Sequence, residues 1–277
     1  MTPMLVSSAP GLTGRPERTD GSARDWAEIQ ERMLVPLYEA VYERLEVGPQ
    51  TRLLGVGCGA GLALLLAAAR GAAVTGVDRD GRRLALARER LLPAPQWGAR
   101  RSGYGQARLA LGGPECAAAQ CGSAFTVVTA FDPTLPAEWL VLALRSAAGL
   151  ARRGAAVVLA GWGPPERCAT AHVLRVAERL AGLAEPVRVS ARDDLEERAH
   201  DAGLRLDGSG RVACPFAYPD MDSAVRGLVS TGLFDTAIEA TDRPQVDKEL
   251  AEALHRYRRP DGTVRMENVF RYVVARV

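Results

Sequence analysis

Leu53-Leu54-Gly55-Val56-Gly57-Cys58-Gly59-Ala60-Gly61 is the stretch that decides the fold of this 277-residue chain. It joins an apolar run over residues 51–56, which predicts a buried strand, to a helical pattern over 62–70. Three of its glycines alternate with other residues, so the backbone can turn tightly and approach a ligand closely. The helix that follows should present free N–H groups and a positive dipole end, which suit a carboxylate or a phosphate. The stretch therefore predicts a ligand-binding turn between a strand and a helix.

Segments typical of strands and of helices alternate after this turn. We predict further strands at 73–77, 125–131 and 155–161, and helices at 81–92, 138–150 and 166–183. The stretch 93–124 is rich in Gly, Ala, Pro and Arg, so it is expected to be irregular loop with room for one short strand at 108–111. The alternation predicts an α/β fold of the Rossmann-like, doubly wound kind, whose parallel sheet is covered by helices on both faces.

The beginning of the chain differs in composition from the rest. Residues 1–22 are rich in Pro, Gly, Ser, Thr and Arg, which predicts a flexible N-terminal tail before one domain over 23–277. Apolar residues then recur at three- and four-residue steps over 25–46. This pattern predicts an amphipathic helix that Asp25 caps and that Pro36 kinks or splits.

The last third of the chain breaks the alternation. We predict a helix at 193–202, a strand at 206–216, helices at 220–230 and 243–257, and a final strand at 263–277. If both strands belong to the main sheet, the two helices between them form an insertion over 219–260. We expect this insertion to be a helical lid over the mouth of the sheet.

Asp78 ends the second predicted strand, 21 residues after Gly57. A carboxylate there can accept both hydroxyls of a ribose, and each such charged hydrogen bond contributes about 1.5–3 kcal/mol. Gly55-x-Gly57-x-x-Ala60 with Asp78 also satisfies the dinucleotide fingerprint, which leaves an NAD-dependent oxidoreductase as one alternative. Against that alternative, Gly61 follows immediately and the chain ends with an insertion and a strand.

The segment Val56-Gly57-Cys58-Gly59-Ala60-Gly61 resembles the first motif of class I S-adenosylmethionine-dependent methyltransferases, in particular the small-molecule group often called type 11. Val74-Thr75-Gly76-Val77-Asp78 is similar to the second motif, whose acid binds the ribose. Residues 125–131 resemble the fourth strand, and 148–159 resemble the helix, Gly turn and fifth strand. The resemblance covers roughly 25–277 and implies a seven-stranded mixed sheet. It further implies S-adenosyl-L-methionine as cofactor and methyl transfer to a small organic acceptor, with specialised metabolism as the expected setting.

The chain departs from this family at three positions. Gly55 stands where the family usually has an acid that helps hold the methionine amino group, and Arg79 stands where an apolar residue more often packs on adenine. The acid that contacts the adenine amino group falls near Pro114, and Glu115 is the nearest substitute. The departures keep a second alternative open, a degenerate member that acts as a cyclase, scaffold or regulator without methyl transfer.

The resemblance and the positions of aromatic and acidic residues give two sets of candidate site residues. The candidates for cofactor binding are Gly57, Cys58, Gly59, Gly61, Asp78, Arg79, Glu115 and Phe131. The candidates for substrate binding are Trp26, Tyr38, Asp132, Trp162 and Tyr218. No catalytic residue is predicted, because a sulfonium donor is already activated and orientation alone supplies about 7–11 kcal/mol.

Composition limits the partners. The 35 basic residues nearly balance the 33 acidic ones, which argues against nucleic acid, and we interpret the Arg pairs at 82–83 and 100–101 as solvated faces. No apolar run reaches the ~20 residues of a membrane span, and the first residues lack an apolar signal core. The five Cys and three His show no metal-ligand spacing. We therefore expect a cytoplasmic monomer or homodimer with a small-molecule substrate, no bound metal and no membrane partner.

Overall fold

The computed structural model describes residues 20–92, 107–118, 124–182 and 193–277. The predicted tail over 1–22 lies outside the described residues except at 20–22, which form the first turn of a helix. Most of the loop predicted within 93–124 lies outside them as well, although the short strand at 108–111 is present.

Strands and helices alternate through the first two thirds of the described chain. Its strands are β1 (Arg52–Val56), β2 (Ala73–Asp78), β3 (Arg108–Leu111), β4 (Phe125–Ala130), β5 (Ala151–Trp162), β6 (Arg205–Ala213), β7 (Phe216–Tyr218), β8 (Val264–Met266) and β9 (Val269–Arg276). Its α-helices are α1 (Asp20–Asp25), α2 (Val35–Arg44), α3 (Leu62–Ala69), α4 (Gly81–Leu91), α5 (Glu115–Ala118), α6 (Ala137–Leu150), α7 (Ala169–Leu180), α8 (Asp194–Asp201), α9 (Met221–Val229), α10 (Asp235–Ala240) and α11 (Arg243–Leu254).

Seven strands form the main sheet in the order β3-β2-β1-β4-β5-β9-β6. The pairs among β1 to β5 are parallel, whereas β9 runs antiparallel to both β5 and β6. The central strands are buried along most of their length and largely apolar, because helices cover both faces of the sheet. Two hydrophobic cores lie on opposite faces of the sheet. The predicted doubly wound, seven-stranded mixed sheet is confirmed.

Two long strands predicted near the C-terminal end are each divided. The strand at 206–216 becomes β6 and β7, and the strand at 263–277 becomes β8 and β9. β7 and β8 pair with each other in a separate two-stranded sheet. Pro215 follows β6 and has no N–H to donate, so the ladder of the main sheet ends there. The prediction of two uninterrupted strands was therefore wrong.

The inserted segment contains a helix that the sequence pattern did not reveal. α10 lies between the two predicted helices, α9 and α11. α10 and α11 pack on α7, and α9 packs on the turn that follows α1. The role of residues 219–260 as a lid stays a prediction.

The predicted helix at 25–46 is divided into segments of three helical geometries, α, π and 3₁₀. α1 passes into a π-helical turn (Trp26–Gln30) and a 3₁₀ turn (Glu31–Leu34) before α2 begins. Pro36 lies in the first turn of α2, where its missing N–H leaves no bond unmade. Asp25 is not an N-cap, because its backbone is helical and its carboxylate binds Arg226 at 2.6 Å instead.

The inner side of β9 is one of the most tightly packed parts of the core. Phe270 is fully buried, and its ring centroid lies 4.6 Å from that of Trp162. We expect Phe270→Ala to lower the free energy of unfolding by about 3–5 kcal/mol, because it leaves a cavity under the sheet. Chemical denaturation measures this loss. Leu142→Ala on the exposed face of α6 is the control, with an expected change in unfolding free energy within about 0.5 kcal/mol. Equal losses in both variants would contradict the assignment of Phe270 to the tightly packed core.

Candidate functional site

A cleft lies at the carboxyl ends of β1 and β4, where the order of strands along the sheet reverses. Open α/β sheets bind their ligands at this position. The lining consists of the glycine loop after β1, the first turn of α3, the end of β4 and the N-terminal helical segment. The residues that line it are Trp26, Glu31, Leu34, Tyr38, Gly55, Val56, Gly57, Cys58, Gly59, Ala63, Leu64, Thr129, Phe131 and Asp132.

The loop between β1 and α3 requires glycine for two reasons. Gly57, Gly59 and Gly61 have φ values of 64°, 57° and 83°, a region that other residues rarely adopt. A Cβ on Gly57 would also lie 3.0 Å from Leu135, and a Cβ on Gly61 would lie 2.9 Å from Ala87. Gly57 therefore lets Leu135 pack closely on the loop, while Gly61 lets α3 pack closely on α4.

Asp78 at the end of β2 faces the glycine loop. Its Oδ2 accepts a 2.7 Å hydrogen bond from the N–H of Gly59, and its Oδ1 accepts one of 2.8 Å from the N–H of Asp80. Burial raises the pKa of Asp78 to about 6, although these two hydrogen bonds act in the opposite direction. The carboxylate is thus held at the loop, and each of its oxygens has room for one more hydrogen bond.

The expectation of free N–H groups at the start of α3 was wrong for Leu62. Its N–H donates to Glu31 Oε1 at 3.3 Å, and Glu31 Oε2 accepts from Arg90 at 2.6 Å. Arg90 also donates to the carbonyl groups of Ala27 and Ala60, so it fastens the N-terminal segment to the loop. Burial raises the pKa of Glu31 to about 7 despite the nearby guanidinium.

Arg83 is buried in the same region, so its interpretation as part of a solvated face was wrong. Only 2% of it is exposed, and its guanidinium lies 3.9 Å from the ring centroid of Trp26. Its Nη2 donates to the carbonyl of Ser230 at 2.8 Å, and its Nη1 lies 3.6 Å from Asp132 Oδ2. Arg83 therefore connects α4, the end of β4 and the end of α9 across one side of the cleft.

Trp26 carries an unused hydrogen-bond donor. The residue is 4% exposed, and its Nε1 has no hydrogen-bond partner among the described residues. This atom lies 3.1 Å from the position of a Cβ on Gly59. A buried donor without a partner costs about 1–3 kcal/mol, so the indole N–H is a candidate ligand-binding group.

Two aromatic residues from the candidate sets form one wall of the cleft. The ring centroids of Tyr38 and Phe131 are 5.0 Å apart, and both residues are buried. Asp132 follows Phe131 and accepts hydrogen bonds from the backbone and hydroxyl of Thr134, which caps the turn after β4. Its other oxygen faces Arg83.

No protein-family model matches the chain, and no curated protein matches it either. Solved structures do match. The cyclopropane synthase MmaA2 from Mycobacterium tuberculosis superposes with a TM-score of 0.53 at 13% identity, over 93% of this chain and 94% of that chain. The chain has the class I methyltransferase fold. A candidate methyltransferase from Bacillus halodurans, BH2331, superposes with a TM-score of 0.52 at 15% identity, over 86% of this chain and 97% of its own. YjhP from Escherichia coli gives a TM-score of 0.53 at 19% identity, over 93% and 99% of the two chains.

The class I methyltransferase fold differs from the dinucleotide-binding fold at one edge of the sheet. The dinucleotide fold has the all-parallel order 3-2-1-4-5-6. Here the antiparallel β9 lies between β5 and β6. This topology gives no support to the NAD-dependent alternative.

Six candidate residues lie outside the lining of the cleft, namely Gly61, Asp78, Arg79, Glu115, Trp162 and Tyr218. Of these, Gly61 and Asp78 belong to the glycine loop and its hydrogen-bonded partner, as described above. Trp162 packs against Phe270, and the hydroxyl of the buried Tyr218 donates to Gln30 at 2.9 Å. Arg79 is exposed beside Trp139, and the exposed Glu115 accepts a hydrogen bond from the N–H of Gly113. Trp162 was predicted from its position at the end of a strand and Tyr218 from its position before the inserted helices, but both belong to an aromatic cluster with Phe216 and Phe270 outside the lining of the cleft.

Gly55, where the class I family usually has an acid, cannot carry a longer side chain in this packing. A Cβ on Gly55 would lie 2.9 Å from Leu64 Cδ2, and Leu64 is itself buried. The leucine therefore fills the space beside the loop. The carboxylates in the lining come instead from Glu31 and Asp132.

Two further properties concern metals and membranes. The described residues contain no cluster of three or more His, Cys, Asp or Glu side chains arranged to hold a metal ion. Within the same part of the chain, no helix has both the length and the apolar character needed to cross a bilayer.

Glu31 gives the site a testable dependence on pH. Its folded pKa of about 7 exceeds its ordinary value of 4.5, so the folded chain binds this proton more tightly and loses stability as the pH rises from 4.5 through 7. Glu31→Gln removes this titration and keeps an acceptor for Arg90. The difference in unfolding free energy should therefore shift in favour of the variant by on the order of 2 kcal/mol from pH 5 to pH 8. Urea denaturation from pH 5 to pH 8 measures this shift. If the difference in unfolding free energy does not change with pH, the pKa of Glu31 is not raised.

Proposed function

We propose that this protein transfers a methyl group from S-adenosyl-L-methionine to a small organic acceptor. The observation that carries the proposal is the 2.7 Å hydrogen bond between Asp78 and the N–H of Gly59 in a cleft of the class I methyltransferase fold. It brings a sugar-binding carboxylate and a bare glycine loop together at the edge where such sheets bind ligands. The resemblance of residues 56–61 and 74–78 to the two cofactor motifs supports the same assignment.

The residue types around the cleft suit this cofactor, although side chains close the cleft to a free volume of about 20 Å³, so the cofactor would enter only if its walls move apart. Asp78 would accept hydrogen bonds from the ribose hydroxyls, and the glycine loop would lie along the aliphatic chain between the ribose and the amino acid. Phe131 and Tyr38 would form the apolar wall beside it, and Cys58 would complete the floor. Asp78 contributes negative charge that favours a cationic ligand, whereas Arg90 and Arg83 balance the charges of Glu31 and Asp132.

The reaction then requires the protein mainly to position the cofactor and the acceptor relative to each other. The bound cofactor supplies a methyl group on a sulfonium, which is already activated for transfer. The chain's own residues hold the cofactor, exclude water and align the acceptor, and orientation of this kind supplies about 7–11 kcal/mol. An acceptor hydroxyl would lie near Asp132 at the end of β4.

The nature of the acceptor is inferred from the surroundings of the cleft. The near-neutral charge argues against nucleic acid. The inserted segment approaches the cleft at Ser230, whose carbonyl accepts a hydrogen bond from Arg83. These features support a small organic acceptor under a lid at 219–260, within one domain over 23–277. We propose a role in specialised metabolism and a cytoplasmic monomer or homodimer.

A second candidate function is favoured by Arg83. Its guanidinium stacks on Trp26 and faces Asp132, so side chains from opposite walls meet across part of the cleft. The contact of Arg83 with Trp26 and Asp132, together with the lack of an acid at position 55, favours a scaffold or regulator of the same fold that performs no methyl transfer. The two functions differ in whether Arg83 and Trp26 move apart to admit a ligand.

Calorimetric titration with S-adenosylmethionine, S-adenosylhomocysteine and NADH tests the proposal. We expect both adenosyl ligands to bind with dissociation constants well below millimolar, and NADH not to bind. Asp78→Asn should weaken adenosyl binding by about 10- to 100-fold, since a hydrogen bond to a charged group contributes about 1.5–3 kcal/mol. Asp207→Asn is the matched control, because Asp207 pairs with Arg276 at the far edge of the sheet.

The opposite result is equally informative. If neither adenosyl ligand binds at millimolar concentration, the proposed methyl transfer is wrong and the scaffold or regulator is favoured. Equal losses in the Asp78 and Asp207 variants would show that Asp78 is not a cofactor ligand.

A further inference from the structure

Side chains close the cleft in the described structure. Its free volume is about 20 Å³, which is room for roughly one water molecule, whereas sites for small organic molecules occupy about 300–1,000 Å³. Three of the residues that line it, Trp26, Glu31 and Leu34, come from the helical segment before α2. Any organic ligand must therefore displace part of this lining.

The segment before α2 contains the backbone features of a hinge. Residues 20–30, which we call the N-terminal strap, comprise α1 and the π-helical turn. The 3₁₀ turn at Glu31–Leu34 follows, and Leu34 has φ −93° and ψ 0°, against about −63° and −42° in an α-helix. Met33 and Leu34 belong to the main core, so the chain is anchored at the end of this turn. A 3₁₀ stretch inside a helix often marks a hinge.

The strap has little apolar packing of its own. Trp26 and Ala27 form a small cluster with Ala60, separate from the two large cores, and Ile29 is only partly buried against the main core. The indole N–H of Trp26 is buried without a partner in the described part of the chain, which disfavours the closed position. An element with few buried apolar contacts opens at a lower free energy than the core does.

Polar contacts with arginines hold the strap in place instead. The contacts are Asp20 with Arg82 at 3.1 Å, Asp25 with Arg226 at 2.6 Å, and the carbonyl of Ala27 with Arg90 at 2.6 Å. The first two are partly exposed ion pairs, which contribute little and are screened by salt. The strap is thus fastened by contacts that can break without unfolding the core.

Arg83 joins the strap to the opposite wall of the cleft. Its guanidinium stacks on the Trp26 ring at 3.9 Å, and its Nη1 lies 3.6 Å from Asp132 Oδ2. The carbonyl of Ser230 fixes its Nη2 at 2.8 Å. Because Arg83 is buried, water screens these contacts little. Separation of Trp26 from Arg83 would widen the cleft on this side.

We propose that the strap is an autoinhibitory cover, which holds the cleft closed and swings outward about the 3₁₀ turn at Glu31–Leu34 when Arg83 and Arg226 release it. The inserted segment over 219–260 then provides Arg226 and the Ser230 carbonyl as part of the surface on which the strap closes. This inference goes beyond the proposed function, because it concerns the protein without any ligand.

Two buried thiols report the opening of the strap. Cys58 lines the cleft, whereas Cys214 is buried in the main core outside the lining. Outward movement of the strap exposes Cys58 alone, and global unfolding exposes both. Alkylation by iodoacetamide, followed by peptide mass spectrometry, measures the two rates, each divided by the rate for the same thiol in the urea-unfolded chain. We expect Cys58 to react at least about tenfold faster than Cys214.

Two variants weaken the closed position to different extents. Arg226→Gln removes an exposed ion pair with Asp25 and should raise the Cys58 rate by about two- to fivefold. Arg83→Gln removes the buried cation from the Trp26 ring and should raise it by about tenfold or more. Neither should change the Cys214 rate. Arg276→Gln is the matched control, because it removes a comparable ion pair with Asp207 at the far edge of the sheet and should change neither rate.

The outcomes decide between an opening strap and a fixed one. If Cys58 reacts no faster than Cys214, or if Arg226→Gln and Arg83→Gln leave the Cys58 rate unchanged, the strap does not control access and the inference is wrong. It is equally wrong if the rates of both thiols rise together, or if Arg276→Gln raises the Cys58 rate as much as Arg226→Gln does. The reaction mixture contains no cofactor, so the result stands whether or not the protein transfers methyl groups.

Discussion

The hydrogen bond from the N–H of Gly59 to Asp78 joins the ends of two neighbouring strands, and the arrangement of the cleft depends on it. β1 ends in a loop of glycines with positive φ, which has little conformational preference of its own. Asp78 at the end of β2 fixes one amide of that loop, and Glu31 fixes another at the start of α3. The loop is thus held by two carboxylates from different parts of the chain, which gives a flexible sequence one defined shape.

The same two carboxylates set the electrostatic character of the site. Burial raises the pKa values of Asp78 and Glu31 to about 6 and about 7. Arg90 compensates Glu31 directly, whereas the guanidinium of Arg83 faces Asp132 and the ring of Trp26. Arginines therefore balance Glu31 and Asp132, and Asp78 is left as the carboxylate whose charge a ligand would meet. A cationic ligand would complete this balance, which is why the charges and the glycine loop support the same kind of ligand.

The sequence predicted the central features of the fold because they follow from local patterns. The alternation of strands and helices and the position of Asp78 at the end of β2 were both correct, since parallel strands buried on both faces are largely apolar. The placement of Glu31 was not predictable from an α-helical pattern, because only the π turn rotates it toward the loop. The burial of Arg83 could not be predicted from the sequence either. Its burial depends on Trp26, Asp132 and Ser230, which are distant in sequence.

The packing of Leu64 against Gly55 links two positions of the chain that no motif connects. Because a Cβ at position 55 would come within 2.9 Å of Leu64, an acid cannot be introduced there alone without displacing a buried leucine. A smaller residue at position 64 would have to come first, and it would leave a hole under α3 until the acid arrived. Either order of change passes through a less stable intermediate, so the chain is held to glycine at this point by its own interior as much as by any demand of a ligand.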